Sequence, residues 1–263
     1  MKNRITELFK KKKTNILSIF YTAGFPGLND TKLIAESLEA FGADMIEIGI
    51  PFSDPIADGP TIQESNKIAL DQGMNLTLLI DQVKRLRSTV TIPVILMGYL
   101  NPVMQYGVEK FFRDVADAGV DGLILPDLPL YEYENNYKAL AESLNLSVSF
   151  LISPTTSESR IRLIDSMSSG FIYAVSSSST TGAKHKFSEE QVSYFEKLQS
   201  LGLVNPFLIG FGISNFHTYS QACSHATGAI VGSSFITAIK DSKDLPSDIK
   251  SFVQSITSDK HKP

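Results

Sequence analysis

Eight short apolar runs, helical patterns between them and a length of 263 residues predict an α/β protein. The architecture that fits is a single-domain (β/α)8 TIM barrel over residues 1–263 with an extra N-terminal helix. The runs are ILSIFYT from Ile16, DMIEIGI from Asp44, IPVILMGY from Ile92 and VDGLILPD from Val120. They continue with LSVSFLIS from Leu146, GFIYAVS from Gly170, NPFLIGFG from Asn205 and TGAIVGS from Thr227. Each is rich in Ile, Val, Leu or Phe and short enough to be a strand buried on both faces, as parallel strands are.

Helical segments with recognisable ends lie between the runs. NDTKLIAESLEAFG begins at an Asn29 or Asp30 cap and stops at Gly42, and VEKFFRDVADAG stops at Gly119. SEEQVSYFEKLQSLG opens with a Ser188/Gln191 capping box and stops at Gly202. A doubly wound open sheet is the rival, but it calls for a Gly-rich turn after the first strand. This chain has TAGFPGLND there and concentrates its glycines near the end, which favours the barrel.

Composition narrows the partners. The chain is 43% hydrophobic and 20% charged, with a net charge of -4, which argues against a nucleic-acid face. The basic run at residues 10–13 follows the amphipathic start ITELF and reads as a solvated helix C-terminus. Cys223 is the single cysteine, so neither an intramolecular disulfide nor a Cys-rich zinc site is expected. With no apolar leader or membrane-length apolar run, the expected location is cytoplasmic.

In such a barrel the chemistry sits at the C-terminal ends of the strands. The second run alternates, with Ile46, Ile48 and Ile50 on one face and Met45, Glu47 and Gly49 on the other. The isoleucines suit the helices, so Glu47 points into the barrel. A lone buried carboxylate is destabilising unless paired or protonated, so Glu47 reads as an acid/base group. Asp58 follows in the loop DPIADGP; alone it reads as a turn residue, and its place above Glu47 raises it to a site candidate. Tyr173 shares a face with Phe171 and Val175 and either fills the barrel or relays a proton.

A second constellation lies in the last third. Thr181 and Gly182 follow the sixth run, residues 210–214 (GFGIS) the seventh, and Gly232, Ser233 and Ser234 the eighth. Glycines at consecutive strand ends let backbone amides approach an anion, which points to a phosphate site. No lysine lies in a predicted strand, which disfavours a Schiff-base aldolase. Lys184 and Lys186 read as loop surface, and His185, His217, His225 and His261 lack metal-ligand spacing, so no metal is expected. The residues alone thus indicate a barrel enzyme acting on a phosphorylated metabolite through carboxylates.

The stretch EIGIPFSDPIADGPTIQ closely resembles the signature of the tryptophan synthase alpha chain family. MGYLNP, LILPDLP, YAVS followed by Thr-Gly, GFGIS and GAIVGS are similar to the family's later blocks, in the same order. The resemblance implies retro-aldol cleavage of indole-3-glycerol phosphate to indole and glyceraldehyde 3-phosphate without a cofactor in this chain. It implies a PLP-dependent beta chain as partner, in an α2β2 heterotetramer, receiving indole through a tunnel for tryptophan synthesis. By position, Glu47 is implied as the acid/base group, Asp58 as the acceptor for the indole N–H, and Tyr173 as a neighbour of the substrate. Thr181, Gly182, Gly212, Gly232 and Ser233 are implied in phosphate binding, and Phe20, Ile62, Tyr99 and Ile124 in the indole pocket. Asp58 is expected to stay ionised on a polar loop, and Asp54 and Pro55 to face the partner. The serine-rich SSSSTTGAKHKF departs from the family's usual entry to Thr-Gly, and residues 177–187 read as a lid. The alternatives are a stand-alone indole-glycerol-phosphate lyase and a catalytically silent regulatory barrel.

Overall fold

A computed structural model describes residues 3–176 and 186–258. Nine parallel strand segments form one sheet: β1 (Ile16–Thr22), β2 (Met45–Gly49), β3 (Val94–Met97), β4 (Gly122–Ile124), β5 (Ser147–Val148), β6 (Leu151–Ile152), β7 (Ile172–Val175), β8 (Phe207–Gly210) and β9 (Gly228–Val231). Their order is β5-β4-β3-β2-β1-β9-β8-β7-β6. The two edges, β5 and β6, are halves of the single run LSVSFLIS, so the sheet curls into a barrel and closes through its fifth strand. Ladder-like bonds span the break: Ser149 N–H donates to Leu123 O at 3.1 Å, and Tyr173 N–H to Phe150 O at 3.0 Å. The eight predicted strands are therefore present, with the fifth interrupted at residues 149–150.

Strand alternation produces two apolar layers. Ile46, Ile48 and Ile50 join the outer layer beneath the helices. Met45 joins Ile16, Ile95, Ile124, Phe171, Tyr173, Leu208 and Ile230 in the inner layer. The extra N-terminal helix, Arg4–Lys11, closes the barrel's N-terminal end by inserting Ile5 and Phe9 into that inner layer. Phe9 meets Phe171 with ring centroids 5.8 Å apart. Two glycines leave the space: a Cβ on Gly122 or Gly170 would lie 2.8 or 2.9 Å from an Ile5 methyl carbon. Asn3 caps this helix, accepting from Thr6 N–H, while its amide donates to Asp121 O at 3.0 Å and the Ser147 hydroxyl at 2.8 Å.

Arg87 pins the same end. Its guanidinium donates to the carbonyls of Gly119 and Ile92, both at 2.7 Å, and pairs with the buried Asp121. Asp121 also accepts from Val94 N–H at 2.9 Å, so one buried network ties the starts of β3 and β4. Breaking such a pair from one side costs about 3–5 kcal/mol, because the remaining charge is left buried.

The expected helix ends hold with one exception. The Ser188/Gln191 capping box is present, and Gly42, Gly119 and Gly202 follow their helices with positive φ. Asp30, by contrast, makes no side-chain cap on Thr31–Phe41; its carboxylate accepts from Gly27 N–H at 2.9 Å, stabilising the preceding turn instead. The basic run also differs in part from a purely solvated end. Lys10 and Lys11 occupy the last helical turn, whereas Lys12 pairs with Asp44 at 2.6 Å. Two further helices, Pro60–Asp71 and Leu100–Tyr106, begin directly after Asp58 and Tyr99 and position both residues. Among the described residues, no helix is long and apolar enough to cross a membrane.

Candidate active site

The inward face of β2 places Glu47 inside the barrel with no exposed surface. In register it lies between Phe20 of β1 and Ile95 of β3. The Ser18 hydroxyl donates to Glu47 Oε1 at 2.7 Å, whereas Oε2 is buried with no hydrogen-bond partner among the described residues. Burial pushes the carboxyl up to about 7, against the opposing effect of the Ser18 bond. A carboxyl balanced there can give or take a proton at neutral pH.

Asp58 sits in a loop wound by two tight turns: Ile56 N–H donates to Asp54 O at 2.9 Å and Asp58 N–H to Pro55 O at 3.0 Å. Gly59 and Pro60 then start the next helix, and Gln63 donates back to Asp58 O at 2.8 Å. The loop is less polar around Asp58 than expected. The side chain is half-buried, and burial raises its pKa to about 6, with the Tyr99 hydroxyl bond acting to lower it. At about 6, Asp58 stays mainly ionised at neutral pH, with burial raising its pKa and Tyr99 opposing that rise.

Tyr99 thus has a polar task beside any pocket-lining one. Its ring packs on Phe52 at 5.3 Å, its hydroxyl accepts from Ala57 N–H at 3.0 Å, and the same hydroxyl lowers the Asp58 pKa. Tyr173 is buried in the inner layer, its ring lying over Gly210. Its phenol pKa is raised, first by burial and then by the charges of Glu47 and Asp58, so all three groups share one electrostatic neighbourhood.

The remaining predicted residues divide. Phe20 lies over Gly49, where a Cβ would be 2.6 Å from the ring, and near Gly232, where one would be 3.5 Å away. Ile62 is half-buried on the first turn after Asp58, and its carbonyl accepts from Ser65, whose hydroxyl meets Thr22 at 2.7 Å. Ile124, at the end of β4, is fully buried in the inner layer. Gly212 has φ +75° and follows Phe211 at φ +69°, a left-handed pair held by the Ser176 hydroxyl donating to Phe211 O at 2.8 Å. Gly232 leads into the helix Ser233–Ile239, whose first amides have no intrahelical acceptor. Ser234 donates to Ile213 O at 3.0 Å and so joins these two loops. Thr181, Gly182, Lys184, His185, His261 and most of the lid segment 177–187 lie outside the described residues. His217 and His225 are on the helix Phe216–His225, and among the described residues no three potential ligands cluster as a metal site.

Ser18, the Tyr99 hydroxyl and the left-handed Phe211 were not singled out from the sequence. Ser18 carried a signal: it shares strand parity with Ile16 and Phe20, so it faces inward beside Glu47.

Residues 6–261 match the family model described as "Tryptophan synthase alpha chain". The chain belongs to the tryptophan synthase alpha chain family. It is 54% identical to the tryptophan synthase alpha chain of Parabacteroides distasonis over 238 residues, covering 90% of this chain and 93% of that protein. To the Flavobacterium psychrophilum alpha chain it is 51% identical over 254 residues, covering 97% and 99%. Among solved structures, the tryptophan synthase subunit alpha from Legionella pneumophila superposes with a TM-score of 0.88 at 33% identity, covering 98% of each chain. A Mycobacterium tuberculosis tryptophan synthase structure also gives 0.88, at 29% identity and 98% of each chain. In this alpha chain, Asp54 is exposed, Pro55 is buried and Ile56 is 91% exposed at the tip of the Asp58 loop.

Proposed function

We propose that this alpha chain cleaves indole-3-glycerol phosphate to indole and glyceraldehyde 3-phosphate and passes indole to a PLP-dependent beta chain for L-tryptophan synthesis. The observation that carries the reading is the pair of inequivalent carboxylates: Glu47 buried and near neutrality, Asp58 half-buried and lower. The reaction needs a proton delivered to indole C3 and another removed from the glycerol hydroxyl next to the breaking C–C bond. As that bond breaks, its electron pair returns to the ring and the hydroxyl carbon becomes the aldehyde. Glu47 serves both transfers because both of its protonation states are accessible. Asp58, ionised, accepts from the indole N–H and stabilises positive charge on the ring once C3 is protonated.

Tyr173, Phe20, Ile62, Tyr99 and Ile124 surround the ring in this reading. Thr181, Gly182, Gly212, Gly232 and Ser233 hold the phosphate. No cofactor acts within this chain; PLP belongs to the beta partner. The proposed assembly is a cytoplasmic α2β2 heterotetramer, with Asp54 and the adjoining rim facing the beta chain and the buried Pro55 supporting them from beneath.

The test is an assay for indole release from indole-3-glycerol phosphate, with and without a beta chain, for the wild type and Glu47→Gln. We expect beta-stimulated release that the substitution reduces at least a hundredfold. Near-normal release by Glu47→Gln would overturn the mechanism. Wild-type activity indifferent to a beta chain would make the protein a stand-alone lyase, and none under either condition a silent barrel.

A further inference from the structure

Ser18 is a hydroxyl inserted into an apolar layer. It is fully buried on the inward face of β1, between Ile16 and Phe20, opposite Met45 of β2 and Ile230 of β9. A hydroxyl there is destabilising unless bonded. Its bond goes to Glu47 Oε1, at 2.7 Å, and is the one side-chain hydrogen bond Glu47 makes among the described residues. Glu47 Oε2 is buried and has no hydrogen-bond partner among the described residues. The two oxygens of the carboxyl are therefore inequivalent before any ligand arrives.

We propose that Ser18 is a positioning residue for Glu47: it fixes the carboxyl's orientation through Oε1 and leaves Oε2 as the oxygen that carries the transferred proton. The inference rests on the acid/base reading of Glu47 given above. A carboxyl with one oxygen engaged as an acceptor holds its acidic proton on the other, so the same atom faces the reaction in both protonation states. Tyr173 from β7 shares this neighbourhood: the charges of Glu47 and of Asp58, from the loop after β2, both raise its phenol pKa. Its strand neighbours Phe20 and Ile95 are apolar and offer it no hydrogen bond. Losing the Ser18 bond removes the hydrogen bond that favours the ionised form, so proton affinity rises as orientation is lost.

Ser18→Ala and Ser18→Cys separate this from a packing role. Cys has nearly the volume of Ser but donates weakly, so both variants should act in the same direction, and Ser18→Cys preserves packing if the alanine variant folds poorly. The carboxyl of Glu47 is titrated by 13C NMR on Glu-labelled protein, its signal assigned by its loss in Glu47→Gln. We expect the midpoint to rise by about one pH unit, kcat to fall about tenfold with KM little changed, and the pH profile of kcat to move with the titration. A Glu47 midpoint and kcat profile matching the wild type in a folded variant would overturn the proposal. If the wild type forms no indole with a beta chain, the lyase reading fails, while the titration still decides whether Ser18 governs Glu47.

Discussion

The Tyr99 hydroxyl accepts from the Ala57 amide at 3.0 Å and at the same time acts on the Asp58 carboxyl, lowering its pKa. One side chain from the end of β3 thereby fixes both the shape of the loop after β2 and the charge of its carboxylate. The ring packs in turn against Phe52, with centroids 5.3 Å apart.

Tyr99→Phe keeps that ring contact and removes the hydroxyl. Because the hydroxyl lowers the Asp58 pKa from the value burial alone would set, its loss moves the group above about 6. A hydrogen bond to a charged group contributes about 1.5–3 kcal/mol, so kcat/KM at pH 7 should fall roughly tenfold or more. Part of the loss should return at higher pH as Asp58 ionises again. A profile lowered equally at every pH would show that the hydroxyl shapes the loop without tuning the charge.

Gly210 is the floor on which Tyr173 rests. A Cβ there would lie 2.5 Å from Tyr173 Cζ, too close for any side chain. Gly210→Ala must shift the phenol or the strand, at about 1–3 kcal/mol of stability. Indole release should drop more than the melting temperature suggests, since the displaced ring borders both carboxylates. A crystal structure of the variant with Tyr173 unmoved would refute the argument.

Glu47 and its inward aim were legible because a period of two leaves a strand residue only two faces, and the isoleucines claim one of them. Its partner was less so. Ser18 meets Glu47 through the register of β1 on β2, which the runs themselves do not state. The same limit hid the break at residues 149–150, where the apolar run continues without Gly or Pro. Asp58 misled in a different way. Its local sequence reads as a turn, yet burial raises its pKa and the opposing group, Tyr99, lies far along the chain. Asp30 shows the local version, a capping residue claimed by the turn before it.

Ile56 is 91% exposed, Met104 61% and Tyr131 74%, and they belong to the connections after β2, β3 and β4, three adjacent strands. Exposed apolar side chains on one rim mark a surface that another protein covers. Placing the beta chain there predicts that Ile56→Glu weakens association and abolishes most of the stimulation of indole release. Release without a beta chain should stay within about twofold, because Ile56 is exposed to solvent and lines no part of the proposed pocket. Titration calorimetry with the beta chain reads the first effect, and unchanged affinity would move the interface elsewhere.

Glu47 should lower the stability of the fold it serves. Its carboxyl titrates at about 7 when folded, against about 4.3 in an unfolded chain. The folded state therefore holds this proton more tightly. The stabilisation this supplies is fully present below the unfolded value and is lost as pH rises through about 7. The difference amounts to about 4 kcal/mol at the upper end. Glu47→Gln stays neutral throughout, keeps an oxygen for Ser18 and has nearly the same volume, so it escapes the loss. The variant should match the wild type near pH 4.5 and become progressively more stable between pH 5 and 8. Asp58 shifts in the same direction, but it is present in both proteins and cancels from the comparison. Urea unfolding at several pH values reads the gap directly, and curves that stay parallel would mean that Glu47 is solvated or paired in solution. A gap that widens as predicted, together with lost indole release, identifies a carboxylate retained for its chemistry at the expense of stability.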